Sequence, residues 1–150
     1  MPTQGLVYAD DLANKFKNLY KKLDHSTCKS DLINEIYDEN VVFKDSFHTI
    51  ESSQRFKEYC SALYENLNTC NFEFHKTWLT DEDAMLTWTM HFSHPRLQGG
   101  KIISVDGASE IKFKEKIFYH QDYFDGADLL YKHIPVLGSV ISFLKKRMSN

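Results

Sequence analysis

The sequence predicts an α+β fold in which helices cover one side of a strongly curved antiparallel sheet, leaving a cone with a central pocket. Two observations carry this. The hydrophobic period is helical through the first half of the chain and changes to two after Asn68. The second half is also broken by turn-like segments (TDED, PRLQGG and the tight KEK) into four successive strand-like runs.

The elements follow in order. Leu12, Phe16, Leu19 and Leu23 step by four, three and four, which places them on one face of a first helix. Ser30 can cap a short second helix, DLINEIY, with Leu32, Ile33 and Ile36 apolar. VVFKD then reads as a short strand with Val41, Phe43 and Asp45 on one face. A third helix begins after Ser52 or Ser53, with Phe56, Cys60, Leu63 and Leu67 as its apolar stripe. The runs NFEFHKTWL, AMLTWTMHFSH, KIISVDGASEIKFKE and KIFYHQDYF are the four strands. Gly107, inside the third, suggests a bulge that bends the sheet. ADLLYKHIPVLGSVISFLKKRM suggests a last helix, interrupted near Pro135 and Gly138, whose Lys145, Lys146 and Arg147 suit a helix C-terminus.

The bulk numbers bound the function. The 150 residues match one domain, 1–150, and 42% hydrophobic with 14% aromatic residues can fill one core without staples. A net charge of −3 offers no basic excess for a phosphate backbone, so no nucleic-acid partner is expected. The three cysteines show no metal or disulfide spacing, which suggests reduced thiols and a cytoplasmic address. MPTQGLVYAD lacks the basic and apolar regions of a signal peptide, and no run is long enough for a membrane span.

The chemistry-bearing residues concentrate in FYHQDYFD. On a regular strand Phe118, His120, Asp122 and Phe124 share a face. If that face looks inward, Asp122 is a carboxyl among aromatic rings, the setting that tunes a group for proton transfer. The alternative is an outward Asp122 paired with Lys112 or Arg96, or holding a turn. Asp45 has the same two readings, a second pocket carboxylate or a turn acceptor before SFHT, with His48 leaning over the mouth. His91 and His94 stand three apart on a strand and so point to opposite faces, which argues against a metal site. Trp88, on the face opposite His91, reads as a core or sheet-to-sheet contact.

IYDENVVFKDSFHTI, LTWTMHFSH, GASEIKFKEKIFYHQDYFD and YKHIPVLG together resemble the nuclear transport factor 2-like superfamily, also called cystatin-like, and within it the SnoaL-like proteins. The resemblance runs from about residue 9 to 147, and implies a cone with a hydrophobic pocket, often dimerising through its sheet. Three enzyme patterns follow from it. The steroid-isomerase pattern implies Asp45 as base and Ser109 at the position of the oxyanion donor. Its donor tyrosine falls near Leu19, with Tyr20 turned about 100° away. The limonene-epoxide-hydrolase pattern implies Asp122 but places Thr89 and His91 where an Arg-x-Asp pair is required. The cyclase pattern asks only for one acid–base aspartate near histidine, and Asp122 with His120 or His91 satisfies it. The expected site is therefore Asp122, Asp45 and His120 for proton transfer, with His91, Ser109, His48, Phe43 and Phe118 lining the pocket. No metal or cofactor is called for, the ligand is a small, mostly apolar molecule, and the protein is a homodimer. A non-catalytic ligand- or protein-binding module is the alternative.

Overall fold

The computed structural model describes residues 3–129 and 135–149. Helix α1 (Gln4–Lys22) starts at Thr3, whose hydroxyl accepts from the Leu6 N–H, and buries Ala9, Leu12, Ala13, Phe16 and Leu19. Helix α2 (Leu32–Ile36) leads into strand β1 (Tyr37–Lys44), and a three-residue strand β2 (Thr49–Glu51) pairs back onto it. Helix α3 (Ser53–Glu65) is capped by Ser52. Its buried face runs in steps of four through Phe56, Cys60 and Tyr64, so the expected stripe is shifted and Leu63 is 45% exposed.

The four long strands are β3 (Thr69–Leu79), β4 (Asp83–Ser93), β5 (Ile103–Phe113) and β6 (Ile117–Phe124). With β1 and β2 they form one curved, unclosed sheet in the order β2-β1-β6-β5-β4-β3. All neighbours are antiparallel except β1 and β6, which run parallel. The sheet is thus mixed rather than purely antiparallel. This one parallel pairing sets β1 beside β6, with Phe43 opposite His120. The expected last helix falls on α4 (Gly126–Leu129) and α5 (Pro135–Met148); residues 130–134 lie outside the described residues.

Bends occur at places the alternation did not indicate. Register shifts in β3 between Phe74 and Thr77, and in β6 between Ile117 and Tyr119, where Phe118 is the extra residue. At Gly107 the pairing of β5 with both neighbours is unbroken, so the expected bulge is absent there. The glycine has another cause. A Cβ on Gly107 would stand 2.3 Å from the outer ring of Trp88 on the neighbouring strand, so the indole lies flat across the bare backbone.

The core lies between the helices and the concave side of the sheet, and includes Leu12, Phe16, Ile33, Val41, Phe56, Leu86, Ile111 and Ile117. Burying this apolar set is the main favourable term of folding.

Candidate active site

The centre of the site is His120 on β6. Its side chain is 1% exposed, and it is boxed by the rings of Phe16, Tyr37 and Phe43 at 5.0–5.9 Å. An imidazole this deep needs partners for both nitrogens, and both are present. Nδ1 lies 2.8 Å from the Tyr37 hydroxyl and Nε2 lies 2.6 Å from Asp122 Oδ1. The Tyr37 hydroxyl also meets that of Tyr20, on α1, at 2.9 Å. Burial, as the largest cause, pushes both phenols well above their ordinary value, so both carry their protons at neutral pH.

Asp122 is held from a second side. The Trp88 indole N–H can only donate, and it donates to Ser109 Oγ at 2.9 Å. The Ser109 proton is therefore directed to Asp122 Oδ1, at 2.6 Å. With the carboxylate ionised, Oδ1 accepts from both Ser109 and His120. Nε2 then carries the imidazole proton and Nδ1 accepts from Tyr37. Both contacts fall on Oδ1, which leaves Oδ2 as the oxygen for chemistry, on a side chain still 20% exposed.

Asp122 opens onto a cavity of about 420 Å³, within the usual range for small-molecule sites. Its described walls are largely aromatic, with Tyr20, Phe43, Phe56, Tyr59, Phe72 and Trp88 prominent. They hold two carboxylates, Asp45 and Asp122, and neither lysine nor arginine. Asp45 sits just beyond β1 with its side chain 4% exposed. Oδ1 takes the N–H groups of Phe47 (2.8 Å) and His48 (2.7 Å), and Oδ2 takes the Tyr59 hydroxyl at 2.8 Å. It is at once a wall residue and the acceptor that closes its turn, so both readings of the sequence describe it. His48 stands at the mouth, about half exposed, 3.4 Å from Asp45.

Asp122, His120, Ser109, Phe43, Asp45 and His48 are thus brought to one region. Two expected pocket residues are not. His91 lies on the outer face of the sheet, bonded to Ser104 at 2.7 Å and Glu73 at 3.1 Å, because strand alternation turns Trp88, not His91, inward. Phe118 is 39% exposed because the β6 bulge hands its inward place to Ile117, which is fully buried. Three tyrosines were missed as site residues. Tyr20 follows Phe16 by four, a spacing that puts both on one helix face, and their rings meet at 4.7 Å. Tyr37 opens a strand that begins earlier than VVFKD suggests, and Tyr59 lies next to Cys60 on α3. Burial lifts Cys70 to about 11, and the hydrogen bond shared with Cys28, together with burial, pushes Cys60 up as well. The same bond lowers Cys28, but that thiol is fully buried and is not among the cavity's lining residues.

The sequence has no match among curated proteins. Among solved structures the fold recurs widely. A candidate SnoaL-like polyketide cyclase from Jannaschia sp. CCS1 aligns with a TM-score of 0.70 at 8% identity, over 87% of this chain and 94% of that one. An LEH-like epoxide hydrolase of M. tuberculosis aligns at 0.67 and 13% identity, over 91% and 97%. A Catenulispora acidiphila protein of ketosteroid isomerase-like fold, in complex with trimethylamine, aligns at 0.68 and 10% identity, over 80% and 89%. At these identities the likeness is one of fold. The SnoaL-like domain model itself matches residues 25–120, which include β1, α3 and β6 as far as His120, and on that match the chain belongs to the SnoaL-like family.

Proposed function

We propose that this protein is a small-molecule enzyme that moves a proton at Asp122 without a metal or organic cofactor. The observation that carries the reading is the Asp122–His120 pair: a carboxylate on an apolar cavity, oriented by a fully buried imidazole and by Ser109. A fixed carboxylate in such walls meets the reacting hydrogen without first shedding a water shell. The walls also select the substrate. With two carboxylates and neither lysine nor arginine in the described lining, the cavity disfavours an anionic substrate. A neutral, mostly apolar molecule with one activated carbon, such as a ketone or an epoxide, fits. The test is turnover of a panel of small neutral ketones and epoxides. Asp122→Asn is expected to lower turnover about 10²- to 10⁴-fold while the fold is retained. Unchanged turnover in that variant would remove Asp122 from the chemistry.

A second reading is favoured by the same charge pattern. Aromatic walls with carboxylates are also the chemistry that holds an alkylammonium ion, and a trimethylamine complex is known for one protein of this fold. The cavity would then be a receptor rather than a catalyst. Calorimetry with choline and its neutral isostere 3,3-dimethylbutanol separates the two. A clear preference for choline supports the receptor, and equal or better binding of the alcohol sinks it.

We further propose a homodimer, built on the outer face of the sheet, and a cytoplasmic address, which the three free cysteines support. Among the described residues no helix is long and apolar enough to cross a membrane.

A further inference from the structure

We propose that Tyr20, Tyr37, His120 and Asp122 form one proton relay whose two ends open onto the same cavity, so that Tyr20 is a second acid–base group of the site. The inference rests on Asp122 being the reactive carboxylate. It adds a second place at which a substrate exchanges a proton, and a path joining the two.

The geometry is continuous. Successive polar atoms stand 2.9, 2.8 and 2.6 Å apart from Tyr20 to Asp122. The two middle members, Tyr37 and His120, are 1% and 0% exposed, so water does not short-circuit the path. The two end members, Tyr20 and Asp122, both line the cavity. The elements are α1, β1 and β6, brought together by the parallel β1–β6 pairing. A purely structural explanation asks less of this region. Tyr37 already has a structural task as the partner of His120 Nδ1, but phenylalanine at 20 would fill the same space with one polar group fewer to satisfy.

The direction of the bonds defines the step. With Asp122 ionised, Tyr20 donates to Tyr37, Tyr37 to Nδ1, and Nε2–H to Oδ1. A substrate hydrogen leaving as a proton bonds to the Tyr20 oxygen, and its electron pair stays on the substrate. The Tyr20 proton passes to Tyr37, the Tyr37 proton to Nδ1, and the Nε2 proton to Oδ1. Four bonds to hydrogen break and four form. The chain ends with neutral Tyr20, Tyr37 and imidazole, and Asp122 as the carboxylic acid. Run backwards, the same path delivers the Asp122 proton from the Tyr20 hydroxyl. To hand a proton on to the substrate, Asp122 carries one on Oδ2, the oxygen not bonded to His120 or Ser109. As the relay brings a proton to Oδ1, the Oδ2–H bond breaks toward the substrate, so that five bonds to hydrogen break, five form and Asp122 stays a carboxylic acid. A substrate that loses a proton to Tyr20 and gains one from Asp122 fits this, which is the demand of an isomerisation or ring closure next to a carbonyl.

Other titratable groups face this chain. In the described lining they are Asp45 beyond β1, His48, Tyr59, Cys60 and Tyr64 on or before α3, and Cys70 and His94 by β3 and β4, with no lysine or arginine.

The experiment uses the full chain with ¹⁵N-histidine and ¹³Cζ-tyrosine labels and needs no ligand. With Asp122 ionised, His120 is expected as the neutral Nε2–H tautomer. An imidazolium at His120 at neutral pH overturns the relay. A double-mutant cycle at neutral pH reads the coupling along the chain. Asp122→Asn is expected to shift the Tyr20 signal clearly more in the wild-type background than in Tyr37→Phe, where only the through-space effect of the carboxylate remains, and equal shifts in both overturn the relay. Failure of the enzyme reading looks different. Tyr20 coupling with full turnover in Asp122→Asn sinks the reaction, whereas lost turnover without coupling sinks the relay alone.

Discussion

Gly107 shows how one residue positions the site. Its missing side chain lets the Trp88 indole cross β5 and reach Ser109, which in turn fixes Asp122. Gly107→Ala puts a methyl 2.3 Å from that ring, so the indole or the strand must shift. Overpacking of this kind costs about 1–3 kcal/mol, read as a drop in the urea midpoint. In a Trp88→Phe background the second ring is gone and the cost is expected to shrink sharply, a coupling that a double-mutant cycle measures. An equal loss in both backgrounds would mean that Gly107 serves something other than the indole. At this scale the sequence was legible where chemistry and alternation agreed. Asp122 and His120 are two apart, so a strand had to turn both to the same side. It was not legible where a partner lies far along the chain. Tyr37 is 83 residues from His120, and nothing local to either residue announces their bond.

At the scale of elements, the helical periods and turn signals located the helices and long strands, because each is a local matter of face and break. Two features stayed hidden. The bulge in β6 shifts the strand by one residue, and a run as uniformly aromatic as KIFYHQDYF reads acceptably in either phase. The second is the junction of β2 and α3. Ser52 has φ 81° and ψ 147°, a conformation suited to glycine, while its hydroxyl caps α3 by accepting from the Arg55 N–H at 3.3 Å and its N–H bonds to Val41 of β1. Strain and cap therefore oppose each other at one residue. Ser52→Ala keeps the strain and loses the cap, and is expected to destabilise by about 1 kcal/mol. Ser52→Gly loses little capping and releases strain worth about 1–3 kcal/mol, offset in part by glycine's larger unfolded-state entropy. The expected order of urea midpoints is glycine, then wild type, then alanine. Glycine at or below alanine would show that the conformation is not strained.

For the whole molecule, the fold spends one face of its sheet on the cavity, and among the described residues no helix covers the other. That outer face carries Trp78 at 53% exposure and Tyr123 at 45%, among polar pairs that already satisfy each other: His91 with Glu73, and His75 with Thr89, which bonds Asp106. Large aromatic rings set among internally bonded polar groups are the composition of a surface that meets another protein, since Trp and Tyr supply area while the polar groups enter the interface without losing partners. A second copy of the chain is the partner that is always present, and a two-fold contact makes the same patch complementary to itself. Light scattering is therefore expected to give twice the 17.6 kDa chain mass. Trp78→Glu places an unpaired charge in the patch and is expected to return the mass to that of one chain. The cavity lies on the other face, so this variant should keep the Tyr20–Asp122 coupling intact. A wild type that stays at a single chain mass at high concentration would show that the face is simply solvated, and that its aromatic residues need another partner.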